Sequence, residues 1–171
     1  MKIRLLIVAL SVSILGAACA TSKVSNVTAP SQSQQKVRSI AIAPGGGLLA
    51  DAVGVDLSNR GFTVIDPAAT SNMMIRLNLN EVEIAQPEGL TKLRGQGIDA
   101  FLVVRAAGGY DQQPQSASAR MTSTRDGQLL AGVSWQNGFG GQAGSIADRV
   151  MRKGLAEAAS EIATALAERA R

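Results

Sequence analysis

Apolar and polar residues fall into three regimes along this chain. Leu5 to Leu15 is an almost unbroken apolar run between the cations Lys2 and Arg4 and the small residues Gly16, Ala17 and Ala18. The order charged, apolar, small is that of a secretory signal. The run has 11 residues, whereas a membrane-spanning helix needs about 20, so the pattern predicts a leader over 1–18. Residues 20–36, ATSKVSNVTAPSQSQQK, are mainly Ser, Thr, Gln and Asn. Such a stretch has too little apolar area to order itself, and 19–36 is predicted to be a flexible tether. As a coil its reach is roughly 20–25 Å.

From Val37 the pattern becomes that of a folded domain, 37–171. VRSIAIA (37–43) reads as a strand, and PGGG as a turn. Leu48, Leu49, Ala52, Val53 and Leu57 recur at helical spacing as far as Arg60, with Gly61 in the position that ends a helix. FTVI (62–65) is a short strand, and Asp66-Pro67 starts a helix through a side-chain cap and a proline at the first position. Met73, Met74 and Leu77 continue that helix, although IRLNLNEVEI alternates like a strand. A helix to about Leu77 followed by irregular chain is expected. PEGLTKLRGQGI (87–98) reads as one or two helical turns closed by glycine, and DAFLVVRA (99–106) as a buried strand.

Period-two alternation in SASARMTST (116–124) and the apolar LLAGVSWQ (129–136) flank Asp126-Gly127, a hairpin signal. Ser145 with Asp148 then opens one long helix, striped by Val150, Met151, Leu155, Ala158, Ala159, Ile162 and Leu166. The expected fold is α/β, in the order β-α-β-α-β-β-β-α. Early alternation implies parallel pairing, and the hairpin adds antiparallel pairing, which gives a mixed sheet with helices packed on it in two or three layers.

Composition removes several chemistries. There is no histidine and a single cysteine, Cys19. Ser-His-Asp and Cys-His catalysis, internal disulfides and cysteine metal clusters are therefore excluded. Of the 17 Lys and Arg, two lie in the leader, leaving 15 against 13 Asp and Glu. That near balance, with one Trp, one Tyr and three Phe, does not suit a nucleic-acid surface.

LGAAC (15–19) resembles the lipobox of bacterial lipoproteins, with Gly16 where leucine is commonest. The resemblance implies cleavage before Cys19 and acylation of it. Ala20 rather than aspartate then implies delivery to the outer membrane, with the domain on its periplasmic face. RSIAIAP, LADAVGVDLSNRGFTVID, LRGQGIDAFLVVRA and STRDGQLLAGVSWQ resemble the envelope lipoproteins of the CsgG and LpoB type, whose α/β domain is akin to the N-terminal domain of TolB. These are fold motifs, covering most of 37–171. They imply a non-enzymatic protein that meets a partner in cell-wall synthesis or secretion. Only 76–86 could house an inserted barrel hairpin, which leaves no room for the two that a pore former needs.

Candidate sites are few. PGGGLLAD places Gly45, Gly46 and Gly47 at a strand-to-helix turn, where backbone N–H groups can hold an anion, but it lacks the Lys and Ser/Thr of a P-loop. GFGGQA, with Gly138, Gly140 and Gly141, matches a dinucleotide fingerprint only formally, because no strand follows its helix. Ser33 and Lys36 match Ser-x-x-Lys inside a tether that cannot position them. Glu81 and Glu83 are too few to hold a cation. Tyr110, Trp135 and Phe139 would suit partner binding if they cluster on one rim, the alternative for Trp135 being the core. The reading is a lipid-anchored, partner-binding protein without a cofactor. Two alternatives stay open: a small-ligand binder or enzyme using the glycine loops, and a homo-oligomeric subunit of a secretion complex.

Overall fold

The computed structural model describes residues 20–27, 36–108, 113–138, 142 and 145–170. Six strands form one mixed sheet: β1 (Ser22–Val27), β2 (Ser39–Ile42), β3 (Thr63–Ile65), β4 (Ala100–Ala107), β5 (Ser116–Ser123) and β6 (Leu129–Asn137). Their spatial order is β1-β6-β5-β4-β2-β3. β2 is parallel to β3 and β4, and the β4-β5, β5-β6 and β6-β1 pairs are antiparallel. Among the described residues five α-helices accompany it: α1 (Gly47–Asn59), α2 (Pro67–Arg76), α3 (Pro87–Gly95), α4 (Ile146–Met151) and α5 (Leu155–Ala170). A 3-10 turn covers Glu83–Ala85.

The helices build two cores on opposite faces, making three layers. Leu49, Val53 and Leu57 of α1 and Ala159, Ile162 and Leu166 of α5 pack on Ile40, Ile42, Leu102, Ala119, Met121 and Val133. Met73 and Met74 of α2, and Leu90 and Leu93 of α3, pack on Ala41 and Phe101. The alternation of side chains along a strand sends Ile40 and Ile42 one way and Ala41 the other. Gly54 allows α1 to lie close to β2, since a Cβ there would sit 2.7 Å from Ile42 Cδ1.

Local signals place most boundaries as expected. Asp66 accepts from the Ala69 N–H at 2.7 Å, with Pro67 in the first turn of α2, which ends at Arg76 with Leu77 as its cap. In the hairpin, Asp126 Oδ1 accepts from the Gln128 N–H at 3.1 Å and Gly127 has φ +71°. That hydrogen bond, with one from Ser123, holds the Asp126 carboxyl below its ordinary range. Asp99 accepts from the N–H groups of Arg38 and Ser39 at 2.8 and 3.0 Å, aligning the starts of β4 and β2.

Two expectations are corrected. Ser22–Val27, read from the sequence as tether, is strand β1, paired residue for residue with β6 from Ser22–Asn137 to Val27–Gly132. Backbone hydrogen bonding carries this strand, so its polar side chains did not announce it. The long final helix is two helices, α4 and α5, interrupted at Arg152–Gly154. The Lys153 N–H donates to Asn137 Oδ1 at 2.8 Å instead of to a helical carbonyl, and Asn137 Nδ2 donates to Lys153 O at 2.9 Å. Consequently Val150, assigned to the buried stripe, is 55% exposed.

Candidate functional site

The parallel strands create a switch point. The crossover from β2 to β3 runs through α1 on one face, and the return to β4 runs through α2 and α3 on the other. The chain therefore diverges beyond the carboxyl ends of β2 and β4, where α/β sheets commonly form crevices. A cleft of about 710 Å³ lies there. Its walls are Pro44 to Leu49, Glu81 with Ile84, Phe101, Val103 to Ala106, and Leu155.

The glycines of the sequence motif shape one wall. Gly45 and Gly47 have φ of +82° and +60°, backbone that favours glycine. At Gly46 a Cβ would lie 2.8 Å from Val104 O and 2.5 Å from Ala50 Cβ, so only glycine lets this turn approach β4. α1 begins here with no side-chain cap and no acid in its first turn. The charged side chains lining the cleft among the described residues are Glu81 and Arg105, both exposed. The remaining described walls are apolar side chains, glycine backbone and Gln113, with no nucleophile beside a general base. Gly138 lies elsewhere, packed against Thr21, where a Cβ would sit 2.2 Å from Thr21 Oγ1. The two glycine loops are thus not joined in this cleft by their described residues. Gly140 and Gly141 lie outside the described residues.

The aromatic rim is corrected at one member. Trp135 is fully buried between β6 and α5, so it is unavailable at a surface. Tyr110 and Phe139, like Cys19, lie outside the described residues. The ends of the neighbouring loops do meet: Asn137 donates from its N–H to Gln115 O at 2.9 Å and from Nδ2 to Pro114 O at 2.9 Å.

Trp135 instead anchors a polar cluster that the sequence did not reveal. Its Nε1 donates to Glu161 Oε2 at 2.7 Å, and Ser22 Oγ donates to the same oxygen at 2.6 Å. Lys153 Nζ pairs with Glu161 Oε1 and donates to Ser22 Oγ at 2.9 Å. Burial pushes the Glu161 carboxyl up, but the hydrogen bonds from Lys153, Ser22 and Trp135 outweigh it and hold the group below its ordinary value. The four residues come from β1, β6, α5 and the break before α5, so they pin the amino-terminal strand to the core. Asp148 and Arg152 form a neighbouring ion pair at 2.6 Å. Glu83 caps its own turn by accepting from the Asn80 N–H at 2.9 Å. Among the described residues no group of acids forms a metal site, and no helix is long and apolar enough to cross a membrane.

No family model matches the chain, and no curated protein matches it. Solved structures with a similar arrangement include the PelC dodecamer from Paraburkholderia phytofirmans, at 18% identity over 88% of this chain and all of that one, with a TM-score of 0.47. Lipoprotein GNA1162 from Neisseria meningitidis is 25% identical over 63% of this chain and 84% of its own, with a TM-score of 0.45. The LpoB C-terminal domain from Escherichia coli is 17% identical over 74% of this chain and 92% of its own, with a TM-score of 0.37. At these TM-scores the similarity is one of broad arrangement.

Proposed function

We propose that this chain is a non-enzymatic lipoprotein, anchored through acylated Cys19 to the periplasmic face of the outer membrane, that binds an envelope protein partner through the cleft at the β2-β4 switch point. The chemistry of the cleft carries this reading. Its walls combine apolar side chains with polar backbone in nearly equal measure, with Glu81 and Arg105 as the charged groups among the described lining residues. Walls of this mixed kind, with a few charges, suit the side chains of a partner, whereas catalysis needs a positioned nucleophile or acid–base pair. Leu48, 60% exposed at the mouth, offers an apolar contact that solvent otherwise covers.

A photo-crosslinking residue at Leu48 in the full chain, produced with its own leader in a Gram-negative host, tests the reading. Discrete crosslinks to an envelope protein, weakened by Phe101→Ala and Arg105→Glu, are expected, together with palmitate labelling that Cys19→Ala abolishes. No crosslink above the unirradiated control, or no labelling, would count against it. Turnover of a small molecule by the purified chain would instead favour the ligand-binding alternative.

A further inference from the structure

The register of the sheet fixes which end of the domain carries the start of the chain. Ala107 pairs with Ser116, Ser116 with Gln136, and Gln136 with Lys23. The start of β1 therefore lies at the same end as the finishes of β2, β4 and β6, the end where the cleft opens. Thr21 is tied there by two backbone hydrogen bonds: its N–H donates to Met151 O at 3.3 Å, and its carbonyl accepts from the Gly138 N–H at 2.7 Å. Ser22 is held by Glu161 and Lys153. Between Cys19 and this docked strand stand Ala20 and Thr21 alone, so three peptide units reach from Cys19 to Ser22, at most about 11 Å. That is about half of the reach of a free tether.

The element bonded to Thr21 is α4, and two of its large apolar residues face outward. Ile146 and Val150, one turn apart and so on one face, are 84% and 55% exposed. Among the described side chains here, Asp148 of α4 and Arg152 just after it pair with each other and are largely withdrawn from solvent. An exposed apolar pair beside the point where the chain runs to a lipid-modified residue fits one occupant, the bilayer surface. We infer that the Thr21–Met151 end of the domain seats on the membrane, with Ile146 and Val150 of α4 entering the headgroup region beside the acyl chains of Cys19. The inference rests on the acylation of Cys19 proposed above. The domain then works flush with the lipid, and the cleft meets its partner at the membrane surface.

The test uses the full acylated chain in phosphatidylethanolamine–phosphatidylglycerol vesicles, some made with brominated lipids. An environment-sensitive fluorophore is attached at Val150→Cys or, at the opposite end of the sheet, at Arg125→Cys; both positions are exposed. Quenching at 150 should exceed that at 125 by about twofold or more, as expected for side chains lying in the interface. Inserting a Gly-Ser spacer of about ten residues after Ala20 should reduce the quenching at 150 towards that at 125. Equal quenching at the two positions on a chain whose mass shows acyl groups overturns the seating alone. A mass without acyl groups overturns both the seating and the lipoprotein reading. Quenching at 150 that the spacer leaves unchanged also overturns the seating by the docked strand.

Discussion

The indole nitrogen of Trp135 donates to Glu161 Oε2 at 2.7 Å, and the same oxygen accepts from Ser22 at 2.6 Å. A core tryptophan and the first residue of the sheet thus share one carboxylate oxygen, so the attachment of β1 is linked to the packing of α5 on β6. Removing the carboxylate takes the acceptor from Trp135 Nε1 and Ser22 Oγ and leaves Lys153 Nζ with Ser22 Oγ, and such losses cost about 1–3 kcal/mol. Glu161→Ala is expected to lower stability within that range and to release β1 first. Urea unfolding followed by Trp135 fluorescence, with proteolysis at Lys23, checks it. Unchanged stability with β1 still protected would show that the cluster contributes little.

The pH dependence follows from the same group. The Glu161 pKa lies below its ordinary 4.5 in the folded chain. The unfolded state therefore takes up the proton first, and the stabilisation is complete above about pH 4.5 and lost as pH falls through the lower folded value. Amide exchange of β1 at pH 6 and pH 3 should show faster opening at the lower pH, with a smaller difference in Glu161→Gln. Opening that accelerates on raising the pH from 5 to 8 would assign β1 docking to another group.

Asn137 separates donor from acceptor with little change of shape. Its Oδ1 accepts from the N–H groups of Lys153 and Gly138, while Nδ2 donates to the carbonyls of Pro114 and Lys153. In Asn137→Asp the donor becomes an oxygen facing two carbonyls. The substitution is expected to cost about 2–4 kcal/mol, at least as much as Asn137→Ala, because a partly buried charge then lacks partners. Thermal unfolding of the two variants decides between them. An aspartate variant clearly more stable than the alanine variant would contradict the assigned geometry.

Two glycines give opposite expectations. Gly46→Ala brings a Cβ to 2.8 Å from Val104 O, and the turn must move, at a cost of about 1–3 kcal/mol. Gly95, at the end of α3, has nothing within 4 Å of a built Cβ and no positive φ. Gly95→Ala should therefore stabilise by about 0.4–1 kcal/mol through the unfolded chain. Paired denaturation midpoints test both signs. Crosslinking from Leu48 should also fall in Gly46→Ala, since the cleft wall moves.

The legible parts of the site are those carried by neighbours in sequence. Gly45–Gly47 after an apolar strand announced a tight turn into a helix, because the conformations it needs belong to those residues. Phe101, Glu81 and Arg105 carried no such mark, since only the crossover geometry brings β4 and the chain after α2 to that turn. Trp135 could be read either as an interface anchor or as core. Its face of β6, set against α5, decides for the core.

By itself the sequence determined the local punctuation: the Asp66 cap with Pro67, the Asp126-Gly127 turn, the Ser145 start of α4 and the apolar periods between them. Each depends on interactions within a few residues, so composition and spacing suffice. Tertiary structure alone decided that SKVSNV is a strand rather than tether, and that the last helix breaks at Arg152–Gly154. Both outcomes rest on partners far away in the chain. β1 has backbone pairing with β6 and a carboxylate on α5, and Lys153 has the amide of Asn137. Hydrogen bonds of that kind are chosen by position in space, and a polar segment shows no sign of them until the sheet that receives it exists.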